Sequence, residues 1–222
     1  MWKRTEPYQF NFTVPGMNVT YTDLIRTAIQ QRYSLVRYIY SSFHGIGQFG
    51  GSFFKPLFYE FQDELNVFDD DSTQVNIQLG HALKLSIQTR DLNQESTEYL
   101  FPASRWCQVM PTVDPKRCWD TTPQGGASPI QRMDSDIASY QVHIRGGRII
   151  PFQDAKGLNV MKTGDLIANP TDLWILANKD NSPVKILNET YAAAAAGFIY
   201  LDDGSSATDI ARSDFYAVIE SD

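Results

Sequence analysis

This 222-residue chain has no long apolar run, no surplus of positive charge and no metal-ligand spacing. No stretch reaches the ~20 apolar residues that a membrane-spanning helix needs, so no membrane span is expected. The segment Met1-Trp-Lys-Arg-Thr-Glu-Pro7 carries charge without the apolar core of a signal peptide. Lys and Arg total 19 against 26 Asp and Glu, for a net charge of -7 and a pI near 4.9. A nucleic-acid or acidic-membrane partner calls for a basic face and is not expected. Three histidines, His44, His81 and His143, lie far apart and form no ligand spacing, so structural or surface roles are expected for them. Asp69, Asp70 and Asp71 are not followed by the spacing of a calcium loop and read as solvated. Gly45-Ile-Gly-Gln-Phe-Gly50 matches G-x-G-x-x-G, but that motif needs a strand before it and a helix after it. Here a helical pattern precedes it, so a helix stop near Gly45 is expected and no nucleotide or other cofactor is.

Aromatic residues are abundant: 13 Phe, 11 Tyr and 4 Trp in a chain that is 42% hydrophobic. That supports a sizeable core and a preference for strands. Thr20-Tyr-Thr-Asp23 offers a helix start, and Leu24, Ile25, Ala28, Ile29, Val36, Ile39, Tyr40 and Phe43 continue at helical spacing. One long helix is predicted there. Afterwards the helical period disappears. Strand-like runs follow at 53–61, 83–88, 98–101, 140–144, 173–177, 198–201 and 215–219, separated by turn signals such as Gly146-Gly147 and Asp203-Gly204. Frequent short strands suggest antiparallel sandwiches. The Ala192–Ala196 tract is too short to define an element.

Two cysteines, Cys107 and Cys118, stand close together. Three N-glycosylation triplets begin at Asn11, Asn18 and Asn188. Together these point to a secretory compartment, lysosomal or secreted, with the endoplasmic reticulum also open. A Cys107–Cys118 disulfide closing a short loop is expected; the alternative is two free buried thiols.

Six tracts occur in order. Glu6-Pro-Tyr8 and the helix from Ala28 through Arg32-Tyr33 to Tyr38-Ile-Tyr40 and Phe43 come first. Lys55-Pro-Leu-Phe-Tyr-Glu-Phe-Gln-Asp63, Gln78-Leu-Gly-His-Ala-Leu83 and Tyr99-Leu-Phe-Pro-Ala-Ser-Arg-Trp106 follow. Ile144-Arg-Gly-Gly-Arg-Ile-Ile-Pro151 and Gly197-Phe-Ile-Tyr-Leu-Asp-Asp-Gly204 complete the series. Together they resemble the C-terminal part of family 31 glycoside hydrolases, the α-glucosidase family. His81 stands where that family usually has Asp, Leu85-Ser-Ile-Gln88 replaces V-A-P, and Arg37 replaces a helix proline.

The resemblance implies a mainly β fold with an N-terminal helical segment. Residues 1–50 would be the end of a (β/α)8 barrel, 51–160 a proximal β-sandwich and 161–222 the start of a distal β-domain, with the chain cut at both ends. It implies that the β-region buries the helix face with Ile25, Ile29, Val36 and Ile39. It also implies part of a retaining hydrolase acting on α-linked glucose, which needs two carboxyls about 5–5.5 Å apart. The family's W-x-D-M-N-E-like, W-x-G-D-like and R-N-H tracts are absent here; Gly164-Asp165 lacks the preceding Trp. No catalytic residue is therefore assigned, and the chain is expected to be scaffold. Its substrate would be an oligosaccharide reached through the missing barrel, and its partner a catalytic-half polypeptide. Glu60, Asp63 and Glu64 read as a solvated turn and Trp106 and Trp174 as core, and the resemblance implies that Trp2 to Tyr8 lie near the barrel mouth. The competing function is a non-catalytic β-rich module that binds carbohydrate or protein.

Overall fold

The computed structural model describes residues 6–69, 73, 75–87, 96–110, 117–134, 141–155, 160–166, 169–180, 182–202 and 211–217. Trp2, Asp70, Asp71, Asp203 and Gly204 lie outside them. Among the described residues the fold is mainly β, with two α-helices of more than one turn and largely antiparallel sheets.

The chain divides into two compact units: residues 1–37 with 151–172, and residues 38–150 with 173–222. In the first, α1 (Tyr21–Ser34) starts where the sequence placed it. Thr20 Oγ1 accepts from the Asp23 N–H, and the Asp23 carboxylate accepts from the Thr20 N–H, satisfying two donors at the helix start. The predicted single helix is instead two. Leu35, at φ -98° and ψ 2°, separates α1 from α2 (Val36–Phe49). The cause lies far along the chain. The Ser34 carbonyl, which a continuous helix would offer to residue 38, accepts from Gln153 N at 3.0 Å. The Ser34 hydroxyl accepts from Ala155 N. Gln153, fully buried, donates to the carbonyls of Leu166 and Asn169 and so holds those residues beside it. Of the helix face expected to be covered, Ile29 is 38% exposed, while Ile25, Val36 and Ile39 are partly buried.

In the second unit α2 runs past Gly45 to Phe49, so Gly45 is not the predicted stop. A Cβ on Gly45 would meet Leu187 and Phe198 at 3.0 Å, so glycine serves close approach there. The left-handed cap is Gly50, at φ +79°, whose N–H donates to Ile46 O. Next comes β1 (Phe54–Pro56). The 53–61 run is strand only there; after Pro56 a 3-10 turn, Leu57–Tyr59, drops Leu57 and Phe61 into the core.

The remaining strands are β2 (Asn76–Leu79), β3 (Leu83–Ser86), β4 (Ser96–Leu100), β5 (Arg105–Met110), β6 (Cys118–Asp120), β7 (Ile130–Asp134), β8 (Gln141–Arg145), β9 (Arg148–Phe152), β10 (Asp172–Leu176), β11 (Val184–Ile186), β12 (Glu189–Tyr191), β13 (Ala195–Leu201) and β14 (Ala211–Ala217). A six-stranded sheet has the order β1-β2-β3-β8-β5-β6, and a four-stranded one β10-β9-β13-β14. Two strand pairs, β4-β7 and β11-β12, complete the set. The alanine tract does belong to an element: Ala195 and Ala196 open β13. Glycine is required at the next position, 197, because a Cβ there would fall 2.2 Å from the Ile149 carbonyl oxygen. That contact, and the Ala196–Arg148 register, mark the one described parallel pairing, β13 with β9. A core of Leu57, Phe61, Val67, Tyr99, Phe101 and Trp106 fills the space beside the six-stranded sheet.

Candidate binding cleft

A cleft of about 930 Å³ opens in the second unit. Its floor is built by three tracts singled out in the sequence. The 3-10 turn after β1 supplies Tyr59 and Glu60, the β2–β3 turn supplies Gly80 and His81, and the β8–β9 turn supplies Arg145 and Arg148. Gly80, at φ +62°, lets that turn close: its N–H donates to Phe53 O, and a Cβ there would sit 2.5 Å from the Tyr38 hydroxyl. Tyr38, fully buried on α2, donates to Leu79 O at 2.6 Å and accepts from Ala82 N at 3.0 Å, fixing the turn beneath the cleft. Burial pushes its phenol up to about 12, so it stays protonated.

Glu60 is the hub. Its two carboxylate oxygens each take one cation at 2.6 Å, Lys55 on one and Arg145 on the other. Burial pushes its carboxyl up, but Arg145 and Lys55 overcome this and hold it below the usual carboxylate range. Glu60 therefore stays ionised, with no proton to give to a leaving group at neutral pH. Arg145 also packs over the Phe61 ring, 4.3 Å from its centroid. Burial, followed by the charges of Arg148 and Lys55, drives His81 well below the ordinary imidazole range, so it lines the cleft as a neutral ring between Tyr38 and Phe198.

The expectation of a solvated turn at Glu60, Asp63 and Glu64 holds only for Asp63. Glu64 is 5% exposed. One of its oxygens accepts from Ala103 N at 2.8 Å and the other from the Ser128 hydroxyl, so it staples two loops together. A carboxylate spent on those donors is not free for acid–base work.

Cys107 and Cys118 are bonded, across the β5–β6 register, with Cα atoms 4.1 Å apart. Asn11, Asn18 and Asn188 are all exposed. Trp106 is fully buried and donates to Pro102 O, while Trp174 is partly buried on β10. His44 stacks on Tyr200 at 3.7 Å, and His143 is fully buried against Phe101 and Trp119. Asp69 is exposed, and Asp165 accepts from the N–H groups of Met161 and Lys162 at a 3-10 turn. Asp202 accepts from the Tyr40 hydroxyl at 2.5 Å. Among the described residues no group of three or more His, Cys, Asp or Glu could hold a metal ion, and no helix is long and apolar enough to cross a membrane. Sequence reasoning missed the cleft's cations, because Arg145 and Glu60 are 85 residues apart.

No protein-family model matches the chain. A probable alpha/beta-glucosidase, agdC, of Aspergillus fumigatus is 30% identical over 189 residues, covering 84% of this chain and 18% of that relative. Neutral alpha-glucosidase C of Mus musculus is 28% identical over 92% of this chain and 19% of its own length. The fold is similar to that of a DNJ-bound glucosidase II alpha subunit, with TM-score 0.71 and 19% identity over 97% of this chain and 20% of that one. A GH31 dextranase of Flavobacterium johnsoniae gives TM-score 0.67 and 16% identity over 94% of this chain and 22% of that one. The chain thus spans about a fifth of the length of the proteins it resembles.

Proposed function

Because this chain corresponds to the C-terminal region of the family 31 glycoside hydrolases, we propose that it is the scaffold portion of a retaining α-glucosidase-like enzyme. The whole enzyme removes α-linked glucose from oligosaccharides. One observation carries the reading: glucosidases align over 82–92% of this chain, in a segment that is under a fifth of their length. The two carboxyls of such a reaction belong to strand ends of the barrel, which a single helical segment does not supply. In this reading residues 1–50 are the end of the (β/α)8 barrel, 51–160 the proximal β-sandwich and 161–222 the start of the distal β-domain. The partner is the catalytic-half polypeptide, and the oligosaccharide binds there.

The disulfide and the exposure of Asn11, Asn18 and Asn188 support a secretory-pathway location with glycans at those positions. One structural neighbour is an endoplasmic-reticulum glucosidase II complex of a catalytic subunit with the binding domain of a regulatory subunit, which supports the same compartment.

The native mass of the protein from its source, with peptide mapping upstream of Met1, tests this. The expected result is a longer polypeptide, or a tightly bound partner, carrying the two Asp tracts. A stable free species of 25.1 kDa would contradict it. That outcome would favour the binding-module reading, for which the exposed cleft residues Tyr59 and Phe49 offer flat apolar surfaces that could stack on sugar.

A further inference from the structure

The chain is acidic overall, yet its cleft is cationic. Lys55, Arg105, Arg145, Arg148, Lys179 and Lys185 line it, against the carboxylates of Glu60 and Asp180. Arg105 is neutralised by Asp120, whose carboxylate takes both Nε and Nη2. Glu60 can balance only one of Lys55, Arg145 and Arg148, and its two oxygens are already engaged by the first two.

Arg148 is left over. Its residue is 7% exposed. Nε donates to His81 O at 2.8 Å and Nη1 to Gly147 O at 3.5 Å. A guanidinium has five N–H donors, so most remain unspent among the described residues. Among the described residues no carboxylate lies within ion-pair distance of it. Burial, with Arg145 close by, lowers it to about 10, which is far from the ordinary state of an arginine. Buried charges in proteins are paired, because desolvating a lone one costs several kcal/mol. Here two guanidiniums and an ammonium share one carboxylate at the wall of an open cleft.

We propose that this cleft binds an oxyanion, a phosphate or carboxylate group carried by a small molecule, at the end formed by Arg145, Arg148 and Lys55. A planar guanidinium offers parallel N–H donors that match two oxygens of such a group, and the bond is charge-assisted on both sides. The carbonyls of His81 and Gly147 hold the Arg148 fork in place before a ligand arrives. Lys179, which donates to the Thr122 hydroxyl, and Lys185 stand on exposed positions of the same cleft and would steer an anion inward.

Isothermal titration of inorganic phosphate into the full chain at low ionic strength tests this, with acetate at matched ionic strength as a second arm. The expected result is saturable one-site binding that weakens as salt rises. Binding of both anions identifies a general oxyanion site, and binding of phosphate alone a tetrahedral one; each supports the proposal. Arg148→Met should weaken binding about tenfold or more, as loss of a charge-assisted bond does. Glu60→Gln removes the competing carboxylate and should tighten it, which a merely structural role for Glu60 would not do. Absence of saturable heat with both anions overturns the proposal, and so does a folded Arg148→Met chain that binds as well as the parent. If Arg148→Met does not fold, Glu60→Gln decides: unchanged or weaker phosphate binding in that folded variant also overturns it.

Discussion

On one face of the six-stranded sheet, Leu83, Ile144 and Cys107 form a buried row across β3, β8 and β5. On the other, Gln78, Lys84, His143 and Gln108 form a row buried as deeply. The two rows differ by one residue along each strand, which is all that reverses a side chain's direction. The first row is stabilised by leaving water. The second is buried against that tendency. Lys84 is fully buried, donates to the Ser86 hydroxyl at 2.5 Å, and stands 4.1 Å from the Phe101 ring centroid. Among the described residues neither ring nitrogen of His143 has a hydrogen-bond partner. The difference teaches that the polar row is buried by what lies over it: β4 and the residue after it lay Tyr99 and Phe101 against it, from the same core that holds Trp106.

Truncating the apolar row should have the largest effect. Leu83→Ala is expected to destabilise the chain by about 2–5 kcal/mol, read by urea unfolding. A loss below about 1 kcal/mol would mean that the row is not a packed core.

Lys84→Met tests the other face and should run the opposite way. Exchanging a buried cation for an apolar side chain of similar length should stabilise by about 1–4 kcal/mol. The same variant sharpens the comparison through pH. Burial holds Lys84 well below its ordinary range, and burial with the Lys84 charge does so for His143. Both groups bind more protons unfolded than folded between their folded and ordinary values. Stability should therefore rise with pH: through and below 6.5 for His143, with His81 adding to it, and up toward 10.5 for Lys84. The limiting slope is about 1.4 kcal/mol per pH unit for each proton. Unfolding curves from pH 5 to pH 9.5 should climb in the parent. In Lys84→Met they should level off above about pH 7.5, keeping only the histidine part. A parent curve that stays flat across this range would show that the polar face is solvated.

The helix start and some of the strands were legible because their signals are local; β2, β5, β6, β7, β9, β11 and β12 fall in none of the predicted runs. Thr20 and Asp23 are three residues apart, and the β-branched and aromatic runs at 83–88 and 198–201 coincide with β3 and β13 to within a few residues. The disulfide was legible because Cys107 and Cys118 stand 11 residues apart. What stayed hidden depends on distant partners. Gln153 breaks the helix after Ser34, Leu187 and Phe198 dictate the glycine at 45, and Arg145, beside Lys55, turns Glu60 from a solvated carboxylate into a hub. Lys84 is the hardest case. Leu83-Lys-Leu-Ser86 alternates like a strand with one wet face, and only the rings of Tyr99 and Phe101 make that face dry.

The central claim is that this chain supplies scaffold and not the catalytic carboxylates of an α-glucosidase. Glucose release from maltose by the purified 222-residue chain tests it most directly. The account predicts a rate indistinguishable from the buffer blank at every chain concentration. Glucose release that rises in proportion to the chain would contradict it, because the two carboxyls of the reaction would then have to lie within these residues.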